Sequence, residues 1–99
     1  VKFLVEKSKR MIKNIRITVR GRVQNIGFRY FAVKTAHTFD IKGFAKNEPD
    51  GSVYIEAEGE ETDLEIFIEH VKQGPSWAIV RETEISSGPV MNYTDFVVK

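Results

Sequence analysis

Ile15, Ile17 and Val19 alternate with Arg16, Thr18 and Arg20, the period-two pattern of a strand with one face buried. After a short loop the period lengthens. Phe28, Phe31, Ala32, Thr35 and Phe39 recur every three to four residues, which lays an apolar stripe along a helix ending near residues 37–40, with Lys34 and His37 on its other face. Residues 41–47 and 52–59 return to strand character. Between them Glu48-Pro49-Asp50-Gly51 has the proline and Asp-Gly chemistry of a tight reversal, which predicts a hairpin. Thr62-Asp63-Leu64-Glu65 has the spacing of a capping box, in which a threonine hydroxyl and a glutamate carboxylate each take a free backbone N–H. It predicts the start of a second helix, with Leu64, Phe67, Ile68 and Val71 facing inward and Gly74-Pro75 as its left-handed cap and stop. Residues 78–86 and 94–98 are the remaining predicted strands.

The order is β-α-β-β-α-β with one extra terminal strand, two similar halves each made of strand, helix and strand. Right-handed crossovers then place both helices on one face of a mostly antiparallel sheet, the α+β ferredoxin-like sandwich. Residues 1–13 precede the first periodic segment and read as an N-terminal extension, leaving 14–99 as the folded domain. This architecture serves enzymes, metal carriers and RNA binders alike, so function has to be sought in the loops.

Composition narrows the field. Ninety-nine residues with 41% hydrophobic and 29% charged side chains describe one soluble domain with one core. Absence of cysteine excludes disulfides, thiolate metal sites and a cysteine nucleophile, and fits a reducing compartment. Apolar runs of three or four residues are too short for a bilayer span, and Phe3-Leu4-Val5 is too short for a signal-peptide core, so a cytoplasmic protein without membrane contact is expected. His37 and His70 both fall within predicted helices and show no spacing suited to a catalytic triad. Two histidines make a poor zinc site, and Glu48, Asp50, Glu58, Glu60 and Glu61 lack the order of a calcium loop, so neither metal nor cofactor is expected. The aromatic residues Phe28, Phe31, Phe39 and Phe67 are assigned to the core, and Trp77 to packing over the sheet edge.

The net charge of +1 conceals an asymmetry, since residues 1–20 hold seven basic side chains against the single acid Glu6. That segment is a solvated tail, a basic arm for nucleic acid, or a positive field beside a small-anion site. Lys7, Lys9 and Arg10 receive no role.

The loop Val23-Gln24-Asn25-Ile26-Gly27-Phe28-Arg29 opens directly into the first helix. A helix N-terminus presents unpaired N–H groups and a positive dipole end, which favour a phosphate or carboxylate. Gly21 and Gly27 bracket the loop, and Arg29 in the first helical turn can aim a guanidinium at the same anion. Local chemistry alone leaves two readings open, an anion nest and a surface turn with a solvated arginine. Asn47, in the same way, is a polar group facing a ligand or a strand-end residue capping the Pro49-Asp50 turn.

Gly21-Arg22-Val23-Gln24 followed by Gly27-Phe28-Arg29, then Gly43-Phe44-Ala45-Lys46-Asn47, Asp50-Gly51-Ser52-Val53, and Gly74-Pro75 before Ala78 and Val80 together resemble the acylphosphatase family over residues 14–98. The resemblance implies a metal-independent hydrolase that cleaves the carboxyl-phosphate bond of a small acyl phosphate, releasing carboxylate and phosphate. It implies that residues 23–29 with Arg29 bind the phosphoryl group and that Asn47 positions the attacking water. Where the family usually has glycine and valine, this chain has Asn25 and Ile26. Asparagine is the non-glycine residue best suited to positive φ, so the loop either keeps its shape around Asn25 or loses the alignment of its amides. A monomer without a nucleic-acid partner is expected.

Two rival readings accompany this one. A small-anion binder of the same fold would keep the loop and lack turnover. An RNA-binding ferredoxin-like module would need a basic-glycine-aromatic run on a central strand, whereas residues 52–57 offer Tyr54 and the acid Glu56.

Overall fold

The computed structural model describes residues 11–99. Lys7, Lys9, Arg10 and most of the expected 1–13 extension lie outside the described residues. The elements are β1 (Ile12–Arg22), α1 (Phe28–Thr38), β2 (Lys42–Asn47), β3 (Val53–Glu60), α2 (Glu61–Gln73), β4 (Ile79–Gly88) and β5 (Phe96–Val98). They form a five-stranded sheet in the order β4-β1-β3-β2-β5. Every pairing is antiparallel except that of β2 with β5, which runs parallel with Gly43 opposite Phe96.

Strand alternation assigns the faces. Val53, Ile55 and Ala57 of β3 and Ile17 and Val19 of β1 are buried under the helices. They pack with Phe28, Ala32 and Ala36 of α1, with Leu64, Phe67 and Val71 of α2, and with Phe96. Phe31 and Phe39, expected in the core, are half-buried; Phe31 meets the edge of Phe28 at 5.7 Å between ring centres. The α1 stripe is completed by Ala36, whose small side chain lets the helix lie close to the sheet.

Two helix ends differ from their sequence signals. The capping box at 62–65 does not form: α2 starts at Glu61 directly from β3, and extended Glu60 at its N-cap makes no side-chain cap bond. Thr62 is already helical there, and Glu61 and Asp63 oppose the helix dipole in place of a cap. Gly74 ends α2 at φ 68° and ψ 177°, a glycine conformation different from the left-handed cap expected.

The face of the sheet away from the helices holds a buried polar network. Glu56 and Glu58 project from β3, and Asn14 of β1 donates from one amide nitrogen to both, at 3.2 and 2.8 Å. Tyr54 and Tyr93 hydroxyls donate to Glu56 at 3.1 and 2.6 Å. The backbone N–H groups of Met91 and Tyr93 donate to Glu58, binding the segment before β5 across the sheet. Burial alone would raise both carboxyl pKa values; for Glu56 the bonds from Tyr93, Asn14 and Tyr54 outweigh it, and for Glu58 those from Met91, Asn14 and Tyr93, so both lie below the ordinary value. The bond to Glu56 also pushes the Tyr93 phenol up to about 12, keeping it a neutral donor.

Because these carboxyls protonate less readily in the folded state than in the unfolded chain, their contribution is complete above 4.5 and is lost as the pH falls through their lower folded values. Urea midpoints should therefore decline on the acid side, and Glu58→Gln should flatten that decline. An equally steep acid limb in the variant would assign the titration to other groups.

Candidate active site

The N-termini of the two helices are electrostatically unlike. The first turn of α2 contains Glu61 and Asp63, whereas α1 has no acid in its first turn and no side-chain cap. The dipole end of α1 is left uncompensated by the chain, which favours an external anion.

The loop leading into α1 reaches that position through two positive-φ residues, Asn25 at 63° and Gly27 at 82°. Asn25 thus takes up the left-handed conformation that its residue type tolerates. Upstream, β1 passes so close to β4 that a Cβ on Gly21 would lie 2.1 Å from the carbonyl oxygen of Ile79. The register of β1 against β4 shifts at this same point, between Arg20 and Gly21. Only glycine permits that approach at the strand exit.

Val23, Asn25, Gly27, Phe28, Arg29, Tyr30 and Asn47 line one cavity of about 70 Å³. Such a volume holds about two waters, the scale of a tetrahedral oxyanion. The first amide of the helical ladder is that of Phe31, bonded to the Gly27 carbonyl at 2.9 Å, so the amides of the first helical turn, residues 28–30, lie ahead of that ladder. Arg29 and Asn47, on different elements, face this common space. The Arg29 guanidinium is oriented by a 2.9 Å bond from Nη1 to the Lys99 carbonyl oxygen, which leaves its other N–H groups for a ligand.

Asn47 does not cap the hairpin. The turn is closed by bonds from Glu48 N–H to the Ser52 carbonyl and from Gly51 N–H to the Glu48 carbonyl, and by Asp50, whose carboxylate accepts from the Ser52 hydroxyl at 2.6 Å and its N–H at 2.9 Å. Those bonds hold the Asp50 pKa below its ordinary value.

Two expected loop residues contribute no lining. Gln24 turns away and donates from Nε2 to the carbonyls of Glu48 and Ser52, at 2.7 and 2.8 Å, tying the loop to the hairpin that bears Asn47. Ile26 packs against the hydrophobic core. Its carbonyl accepts a hydrogen bond from the indole N–H of Trp77, which brings that side chain to the loop. Sequence reasoning did not find Tyr30, Lys99 or this role of Trp77, and adjacency to Arg29 was the one available signal, for Tyr30.

His37 faces Asp95 at 3.4 Å and His70 donates to the Ile66 carbonyl at 2.9 Å, both outside the cavity lining. Among the described residues no group of three or more His, Asp or Glu is placed to hold a metal ion, and no helix is long and apolar enough to cross a membrane.

The acylphosphatase family model matches residues 15–98. An acylphosphatase of Archaeoglobus fulgidus is 48% identical over 84 residues, covering 85% of this chain and 94% of the relative. One from Thermotoga maritima is 40% identical over 88 residues, covering 89% and 98%. Among solved structures, the acylphosphatase of Bacillus subtilis superposes with a TM-score of 0.86 at 37% identity, covering 90% of this chain and 99% of that one.

Gln24→Ala would remove two hydrogen bonds between the loop and the hairpin, while the Glu48 and Ser52 carbonyls keep their backbone donors, the N–H groups of Gly51 and Glu48. A loss of about 0.5–1.5 kcal/mol in urea unfolding is expected, and an unchanged midpoint would mean that water replaces the carboxamide at no cost.

Proposed function

The chain belongs to the acylphosphatase family and hydrolyses acyl phosphates, and we propose that Arg29 and the amides of the 23–29 loop hold the phosphoryl group while Asn47 positions the attacking water. The observation that carries this assignment of roles is the shared cavity: one small space bordered by an uncapped helix N-terminus, a guanidinium and a carboxamide.

The reaction makes modest demands on such a site. An acyl phosphate is a mixed anhydride whose carboxylate departs readily, so positioning and charge stabilisation do most of the work. Water oxygen bonds to phosphorus as the bond from phosphorus to the acyl oxygen breaks. The electron pair of that bond leaves with the carboxylate, and the proton of the water passes to a phosphoryl oxygen. A dianionic substrate and water thus become a carboxylate and dihydrogen phosphate, with charge conserved. Asn47 is not a base at neutral pH; its carboxamide holds the water in line, and the substrate itself accepts the proton. Arg29, steadied by the Lys99 carbonyl, offers its remaining donors to the phosphoryl oxygens as charge redistributes.

Positive φ at Asn25 supports a preserved loop over a misaligned one, and this favours turnover over the binder that only retains phosphate. A monomer is the proposed working unit. A cytoplasmic enzyme without a nucleic-acid partner completes the reading; a chain free of cysteine fits that compartment.

Benzoyl phosphate hydrolysis in the presence of a chelator tests these roles. Arg29→Gln should lose about 2.7–4 kcal/mol of transition-state stabilisation, roughly 10²–10³ in rate. Asn47→Ala should lower kcat more than it raises KM, and Asn25→Gly should keep or raise the rate. Full activity in Arg29→Gln, or a requirement for added metal, would overturn the assignment.

A further inference from the structure

We propose that Trp77 is a positioning residue of the anion loop, its indole N–H fixing the Ile26–Gly27 peptide so that the Gly27 amide is held toward the phosphoryl cavity; the inference rests on the reading of that cavity given above. The carbonyl of Ile26 and the N–H of Gly27 belong to one planar trans unit and point in opposite directions. A donor on the carbonyl side therefore sets the direction of the amide on the other. Trp77 supplies that donor from the connection between α2 and β4, 51 residues away in the chain.

This peptide needs a tether. It lies between Asn25 and Gly27, both at positive φ, and glycine lets the unit rotate with little steric resistance. Rotation would turn the Ile26 carbonyl oxygen toward the space where the phosphoryl oxygens sit and withdraw a donor from it. Both changes repel an anion.

The approach of Trp77 is built from the backbone. Gly74 takes its glycine-only conformation against the ring of Phe28, where a Cβ would be 3.1 Å from the aromatic edge. Pro75 follows, and Ala78 N–H closes a turn on the Pro75 carbonyl at 2.9 Å with Trp77 inside it. Phe28 is the first residue of α1 and also lines the cavity, so the turn and the loop are registered on a common buried ring. Trp77 remains 63% exposed. Its burial contributes little to stability, and its specific contact is with the loop.

Trp77→Phe and a benzothienylalanine replacement at 77, in which sulfur takes the place of the indole N–H, separate this role from packing. Hydrolysis of benzoyl phosphate, competitive inhibition by inorganic phosphate and thermal midpoints are measured for each. Both variants should lower kcat/KM and weaken phosphate inhibition by about three- to tenfold, the range of one neutral hydrogen bond, with thermal midpoints near that of the native protein. Native phosphate inhibition and kcat/KM in the sulfur isostere would overturn the proposal, as would a fall in midpoint with phosphate inhibition unchanged. A native protein that neither turns over benzoyl phosphate nor binds phosphate overturns the underlying reading, and the inference with it.

Discussion

A planar peptide that turns its N–H toward an anion sends the preceding carbonyl the opposite way, and that carbonyl must find its own partner or face water. The 25–27 loop is shaped by this constraint. The Gly27 carbonyl is taken by Phe31, as the first bond of α1, and the Ile26 carbonyl by Trp77. Gln24 uses its side-chain donors to join the loop to the hairpin. The proposed anion nest is defined as much by its outward bonds as by its inward ones. Those outward bonds come from the α2–β4 connection and the β2–β3 hairpin, so a site of seven residues draws on much of the fold.

The helix-free face contributes through the C-terminal strand. Glu58 and Glu56 hold the backbone and the hydroxyl of the 91–93 segment, and from there the chain enters β5 beside β2. Gly43 N–H donates to the Asp95 carbonyl and Lys99 N–H to the Ala45 carbonyl, which seats the strand at both ends. At its far end the Lys99 carbonyl receives Arg29. The guanidinium proposed to hold phosphate is thus oriented by a main-chain oxygen at the end of β5, 70 residues away in the chain.

Local periodicity was enough to locate every strand and helix to within a few residues, since burial of one face leaves its period in the sequence. The Pro49-Asp50-Gly51 turn and the loop into α1 were legible for the same reason: each depends on the conformational preferences of adjacent residues. Thr62 misled because a capping box needs its threonine at the non-helical N-cap, and that place is taken by Glu60, the last residue of β3. Contacts between distant residues left no local trace. The partners Arg29 and Lys99 are 70 residues apart, and Glu58 and Tyr93 are 35 apart. Glu56 and Glu58 look like ordinary solvent-facing positions of an alternating strand; only the 91–93 segment lying over them makes them buried acceptors.

Asn25 shows how a departure from glycine can serve the same geometry. Glycine in a left-handed position adopts it without strain but loses the most conformational freedom on folding. Asparagine tolerates the same φ with a smaller set of unfolded conformations to give up, so the folded loop is favoured more strongly against alternatives. The less restricted residue is Gly27, two residues on, where the chain bends again to start α1. Stiffness at 25 and freedom at 27 concentrate any residual motion in the peptide between Ile26 and Gly27. The indole of Trp77 is bonded to that peptide and to no other in the loop, so the one joint that the backbone leaves loose is the one that a distant side chain closes.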